Sequence, residues 1–69
     1  MPSRDQRYAN LPSVTCIAET EAAILVQIDD EEVWIPRSQL HPEDNEVREV
    51  GDVGELVITE WIAEEKGLV

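Results

Sequence analysis

The chain has 69 residues, with 16 Asp and Glu against five Lys and Arg and one neutral His, for a formal net charge of -11. A chain this short holds one domain with a small core, which excludes a multidomain enzyme with a deep cleft, and a hydrophobic share of 42% is too high for an acidic disordered tail. Charge of this sign also opposes direct binding to nucleic acid or an anionic membrane surface, because such binders neutralise phosphates with Lys and Arg.

Residues 1–12 are polar, contain Pro2 and Pro12 and lack an apolar period, which predicts a flexible N-terminal arm ahead of a single domain over 13–69. Val14, Cys16 and Ala18 then alternate with Thr15, Ile17 and Glu19, the period of a strand with one buried face. A second strand is predicted over 22–28, with Ile24, Val26 and Ile28 on one side and Leu25 and Gln27 on the other. Asp29, Asp30, Glu31 and Glu32 form a turn, and Val33-Trp34-Ile35 returns as the partner strand with Val33 and Ile35 inward. Pro36 ends that strand, and Ser38 caps a short helical turn reaching Leu40.

Residues 41–52, with Pro42, Asn45 and Gly51, predict an acidic surface loop that includes a short strand at 47–50. The last strand spans 54–58, with Leu56 and Ile58 on one face and Glu55 and Val57 on the other. Thr59 caps a final helix over 60–66, with acids in its first turn, Lys66 in its last and Gly67 as the stop signal. Trp61 and Ile62 are expected to pack this helix on the sheet. The sum is a small α+β fold: a three- to four-stranded antiparallel sheet, or a partly open barrel, with one C-terminal helix. Such a unit lies close to the smallest that is independently stable.

Cys16 is the only cysteine, so no intramolecular disulfide can form and a reducing compartment fits best. On the inward face of its strand it reads as a buried, inert thiol. His41, beside Pro42, reads as a solvated loop residue. The run Gly51-Asp52-Val53-Gly54 lacks the lysine and following helix of a phosphate-binding loop, and the tetrad at 29–32 lacks the spacing and mid-loop glycine of an EF-hand. The expectation is therefore a non-enzymatic protein with no metal site and no cofactor. The N-terminus has no apolar run of the signal-peptide kind, and no stretch approaches the roughly 18 apolar residues of a membrane span, so a cytoplasmic location is expected.

The charge is unevenly distributed. Residues 1–18 carry Arg4, Arg7 and Asp5, a net of +1, whereas 19–69 carry 15 acids against Arg37, Arg48 and Lys66, a net of -12. Self-repulsion at that density works against compactness, which points to a use beyond stability. Two clusters, Asp29, Asp30, Glu31, Glu32 and then Glu43, Asp44, Glu46, Glu49, Asp52, Glu55, are the candidate partner-binding residues, the second being weighted more heavily. A compact chain of this length has a radius of gyration of about 11 Å and a diameter of roughly 28 Å. Over that span duplex DNA presents about 16 phosphates, a number comparable with the carboxylates here.

The stretch Glu32-Val33-Trp34-Ile35-Pro36-Arg37-Ser38-Gln39-Leu40, with residues 51–58 and 60–68, resembles a group of small acidic proteins from phages and mobile elements, some of which are anti-CRISPRs. The resemblance covers about two thirds of the chain, from Ala22 onward. It implies an inhibitor of a bacterial CRISPR effector, a type I surveillance complex, acting as a DNA mimic on the complex's basic DNA-binding surface in the host cytoplasm; a homodimer would relieve the small core, but -11 on each copy opposes it, so a monomer is expected. The rival reading is a small β-rich adaptor that docks a protein through an apolar edge around Trp34, Leu25 and Ile17, the acids serving only solubility.

Overall fold

The computed structural model describes residues 7–68. Four strands, β1 (Tyr8–Glu19), β2 (Ala23–Ile28), β3 (Glu31–Pro36) and β4 (Val53–Thr59), form one antiparallel sheet in the order β3-β2-β1-β4, and a helix, α1 (Glu60–Glu65), ends the chain. The sheet is not closed into a barrel. The longest dimension is 31 Å and the radius of gyration 11.0 Å.

β1 is longer than the sequence predicts. Of the expected arm, residues 1–6 lie outside the described region, and Tyr8 to Pro12 belong to the strand, where Tyr8 to Leu11 pair with Thr59 to Leu56 of β4. The alternation that drives this is weak, since only Ala9 and Leu11 point inward and both are half-buried. Proline is tolerated here because Pro12 falls in a bulge between the Leu11 and Val14 pairings, where the absent N–H removes no ladder bond. Ser13 takes the left-handed conformation at the same place, with φ 60°. A second irregularity between Cys16 and Ala18 leaves Ile17 as the extra residue and exposes it.

The hairpin of β2 and β3 follows the predicted faces. Val26 lies opposite Val33 and Ile24 opposite Ile35, towards the core, while Leu25 lies opposite Trp34 and Gln27 opposite Glu32 on the outer face. The turn is tighter than the tetrad: Ile28 pairs with Glu31, so Asp29 and Asp30 alone form the loop and Glu31 and Glu32 belong to β3. Asp29 has φ 55°, a conformation that Asp accepts more readily than most residues.

After Pro36 the chain makes a 3-10 helix over Arg37–Gln39, and Ser38 lies within it rather than capping it. The chain then crosses to β4 and takes up that strand's outer edge. Leu40 bridges Ile58, His41 N donates to Val57 O at 2.9 Å, and Glu46 N donates to Glu55 O at 3.2 Å. With this segment laid along β4, Val57 is buried even though it points away from Leu56 and Ile58. No strand forms at 47–50. Asp52 accepts from Arg48 N and Glu49 N through its carboxylate, and Asp52 N donates to Glu49 O, which closes a turn instead.

The core comprises Val14, Cys16, Ile24, Val26, Ile35, Leu56 and Ile58 from the sheet, Ile62 and Ala63 from α1, and Val47 from the long loop. Thr59 caps the helix as expected, its Oγ1 accepting from Ile62 N at 3.2 Å, and Gly67 follows the last turn with φ 71°. Trp61 does not pack on the sheet. Ile62 and Ala63 occupy the inward stripe, and Trp61 lies about 200° round the helix from Ala63, which leaves it 58% exposed. No helix among the described residues is long and apolar enough to cross a membrane.

Candidate partner-binding surface

The two acidic clusters lie at opposite ends of the strand order. Asp29, Asp30, Glu31 and Glu32 occupy the tip of the β2–β3 hairpin and the start of the edge strand β3, whereas the 43–55 cluster borders β4 at the other edge. All four hairpin acids are exposed, and among the described residues none of their carboxylates has a hydrogen-bond or ion-pair partner. Asp29 and Asp30 form the loop, Glu31 shares a side with Ile28, and Glu32 shares the outer face with Trp34. This gives a dense, unshared block of negative charge beside an aromatic ring.

The second cluster is built differently. Glu46 accepts from Glu55 N at 2.7 Å through Oε1, Asp52 closes its turn, and Glu55 accepts from Asn10 Nδ2 at 3.0 Å. Asp44 lies 3.7 Å from His41 Nε2. The carboxylates of Glu46, Asp52 and Glu55 are engaged within the fold, whereas Glu43, Asp44 and Glu49 are exposed and their carboxylates make no hydrogen bond among the described residues. Spacing in the sequence does not distinguish the two cases, because a carboxylate that closes a turn and one that faces solvent have the same composition.

His41 is not a solvated loop residue. Its ring packs edge-on against Tyr8 with centroids 4.5 Å apart, and its side chain is 19% exposed. Nδ1 accepts from Glu43 N at 3.1 Å and Asp44 N at 3.0 Å, which fixes the neutral ring as the Nε2–H tautomer. The side chain of Asn45 makes three hydrogen bonds, and this is the residue sequence reasoning missed. It is buried, donates to Val57 O and accepts from Val47 N and Val57 N. Its one visible signal was an uncharged Asn between Asp44 and Glu46, two residues before apolar Val47.

Cys16 is buried as expected, and burial pushes its thiol pKa up; its Sγ donates to Ala18 O at 3.3 Å. Among the described residues no group of three or more His, Cys, Asp and Glu is placed to hold a metal ion.

The outer face of the sheet carries apolar groups of its own. Trp34 is 43% exposed, Ile17 37% and Val53 65%, and Leu25 lies beside Trp34. Comparison with protein-family models, curated proteins and solved structures returns no match.

Proposed function

We propose that the protein is a non-enzymatic inhibitor that occupies a basic, DNA-recognising surface of another protein. The observation that carries this reading is the hairpin tip, where Asp29, Asp30, Glu31 and Glu32 are exposed, without a carboxylate partner among the described residues, in a chain of formal charge -11. Four carboxylates in sequence at the hairpin tip offer the charge density that a phosphate-binding groove accepts, and a net field of this size steers the encounter. The resemblance to anti-CRISPRs narrows the partner to a type I CRISPR surveillance complex in a bacterial cytoplasm. The weight within the candidate set moves to the hairpin, because Glu46, Asp52 and Glu55 of the second cluster are held by the fold.

The test is competition for target DNA by purified effector. Wild-type protein should block DNA binding, and inhibition should weaken as salt rises, since exposed charges separated by more than about 8 Å are screened at physiological ionic strength. Lysine at positions 30, 31 and 32 should abolish inhibition while the melting temperature stays unchanged or rises. Retained inhibition by that folded variant rejects the reading.

A second reading has its own support, the exposed Trp34 beside Leu25 on an edge strand. An adaptor docking there loses its partner on Trp34→Ala with the fold intact, whereas the acidic mimic retains most of its inhibition.

A further inference from the structure

A cleft of about 460 Å³ opens between Tyr8, at the start of β1, and the crossover from β3 to β4. In a chain with only five Lys and Arg, two of them, Arg37 and Arg48, line this cleft. Both guanidinium groups are hydrogen-bonded within the fold. Arg37 donates to Thr20 O and Arg48 O, each at 3.0 Å, and to Glu19 Oε2 at 3.2 Å. Arg48 donates through Nε to Asn45 O at 3.1 Å and through Nη2 to Pro42 O at 2.8 Å.

These two residues differ in one respect. Arg37 has a carboxylate partner in Glu19, whereas Arg48 is held by carbonyls alone, and among the described residues no carboxylate neutralises it. A guanidinium carries five N–H donors in a fixed fork, so Arg48 retains three uncommitted ones in a chain where acids outnumber cations threefold. The hydroxyls of Tyr8 and Ser38, also lining the cleft, have no hydrogen-bond partner among the described residues. The remaining wall comes from Leu40, Pro42 and the rings of Tyr8 and His41.

We infer that this cleft binds a small organic monocarboxylate, its carboxylate on the fork of Arg48 and its apolar body against Tyr8, Leu40 and Pro42. The planar fork matches a carboxylate in two parallel hydrogen bonds, and the two backbone carbonyls that accept from it orient it towards the cleft. A single negative charge suits the site better than a doubly charged phosphate, because the surrounding field of -11 opposes each added charge. The site is separate from the hairpin surface and stands or falls independently of the inhibitor reading.

The experiment is a titration of ¹⁵N-labelled protein with sodium benzoate at constant ionic strength, following backbone amides and the arginine Nε–H signals. Saturable shifts should localise to Tyr8, Ser38, His41 and Arg48, with an affinity in the millimolar range expected of so small a ligand. Benzyl alcohol, the neutral analogue, should not reproduce them, and Arg48→Gln should weaken benzoate binding about tenfold or more. The inference is overturned by an absence of saturation with benzoate, by equal shifts with benzyl alcohol, or by saturation with inorganic phosphate but not benzoate. Undiminished binding to folded Arg48→Gln also overturns it. Should that variant unfold, the benzoate and benzyl alcohol arms on the wild-type chain decide the question.

Discussion

Asn45 is 7% exposed, and its amide serves three backbone groups, donating to Val57 O at 3.0 Å and accepting from Val47 N at 3.1 Å and Val57 N at 3.4 Å. Alanine at 45 strands two buried N–H donors, which costs about 2 kcal/mol or more. A loss of that size lowers the melting temperature by roughly 10 °C in a domain of this length; an unchanged melting curve would show that the amide does not hold the loop. Glu46 is tied to a neighbouring residue in a way that a double-mutant cycle reads directly. Gly54 has φ 157°, and a Cβ built there lies 2.5 Å from Glu46 Oε1 and 3.0 Å from Glu46 Cβ. Gly54→Ala should therefore destabilise the fold by about 1–3 kcal/mol. Removing the Glu46 side chain as well should recover part of that loss, so the two changes are non-additive; strict additivity would place Glu46 elsewhere. Cys16 gives the pH prediction. Because burial raises its folded pKa above the unfolded value, the neutral thiol stabilises the fold fully below the unfolded thiol pKa, and that contribution is lost as pH rises through the raised one. Wild-type stability should thus fall more steeply with alkaline pH than that of Cys16→Ala, as followed by urea unfolding at stepped pH.

At the level of elements, the six-residue helix is too short to persist alone, so its start must be fixed by contacts. Thr59 does this twice, accepting from Ile62 N at 3.2 Å and donating to Gln39 Oε1 at 2.6 Å. Thr59→Ala should cost about 1 kcal/mol or slightly more, and Thr59→Ser should recover most of it; equal losses for the two would assign the effect to the methyl group rather than the hydroxyl. This cap was legible in the sequence because Thr59 directly precedes Glu60 and Gly67 follows, although the helix stops at Glu65 and Lys66 is its C-cap instead of a base in its last turn. The strands of the hairpin were legible for a similar reason, since Ile24, Val26, Val33 and Ile35 keep strict alternation and a one-sided core follows from it. The first half of β1 was not. Its inward residues are Ala9 and Leu11, too small a signal to outweigh Pro12, and the bulge that accommodates the proline depends on pairing with β4, more than forty positions away. The edge of β4 was illegible for the same reason, being covered by side-chain and backbone bonds from a loop with no period.

For the whole molecule, composition fixed the sign and size of the charge, and position in the fold divided it. Asp29, Asp30, Glu31 and Glu32 face water without partners among the described residues, while Glu46, Asp52 and Glu55 close turns or bond across strands, a distinction that needs coordinates because hydrogen-bond partners such as Asn10 and Glu55 are 45 residues apart. Cations do little to offset the field. Arg37 pairs with Glu19 at 3.2 Å, on side chains 35% and 40% exposed, and pairs of that kind contribute at most about 1 kcal/mol. Self-repulsion among the remaining acids should therefore weaken the fold at low ionic strength, where the screening length is about 30 Å at 0.01 M and exceeds the radius of the molecule. Raising salt to 0.15 M contracts that length to about 8 Å, and the melting temperature should rise by several degrees. Partner binding through the hairpin should respond in the opposite direction, since the same screening weakens attraction to a basic groove. The two salt dependences, measured on one preparation, separate surface from fold: inhibition that disappears as the melting temperature climbs cannot be due to unfolding. A melting temperature that falls with salt would mean that attractive pairs outweigh repulsion, and that the acids are a net support for the fold rather than a charge carried for a partner.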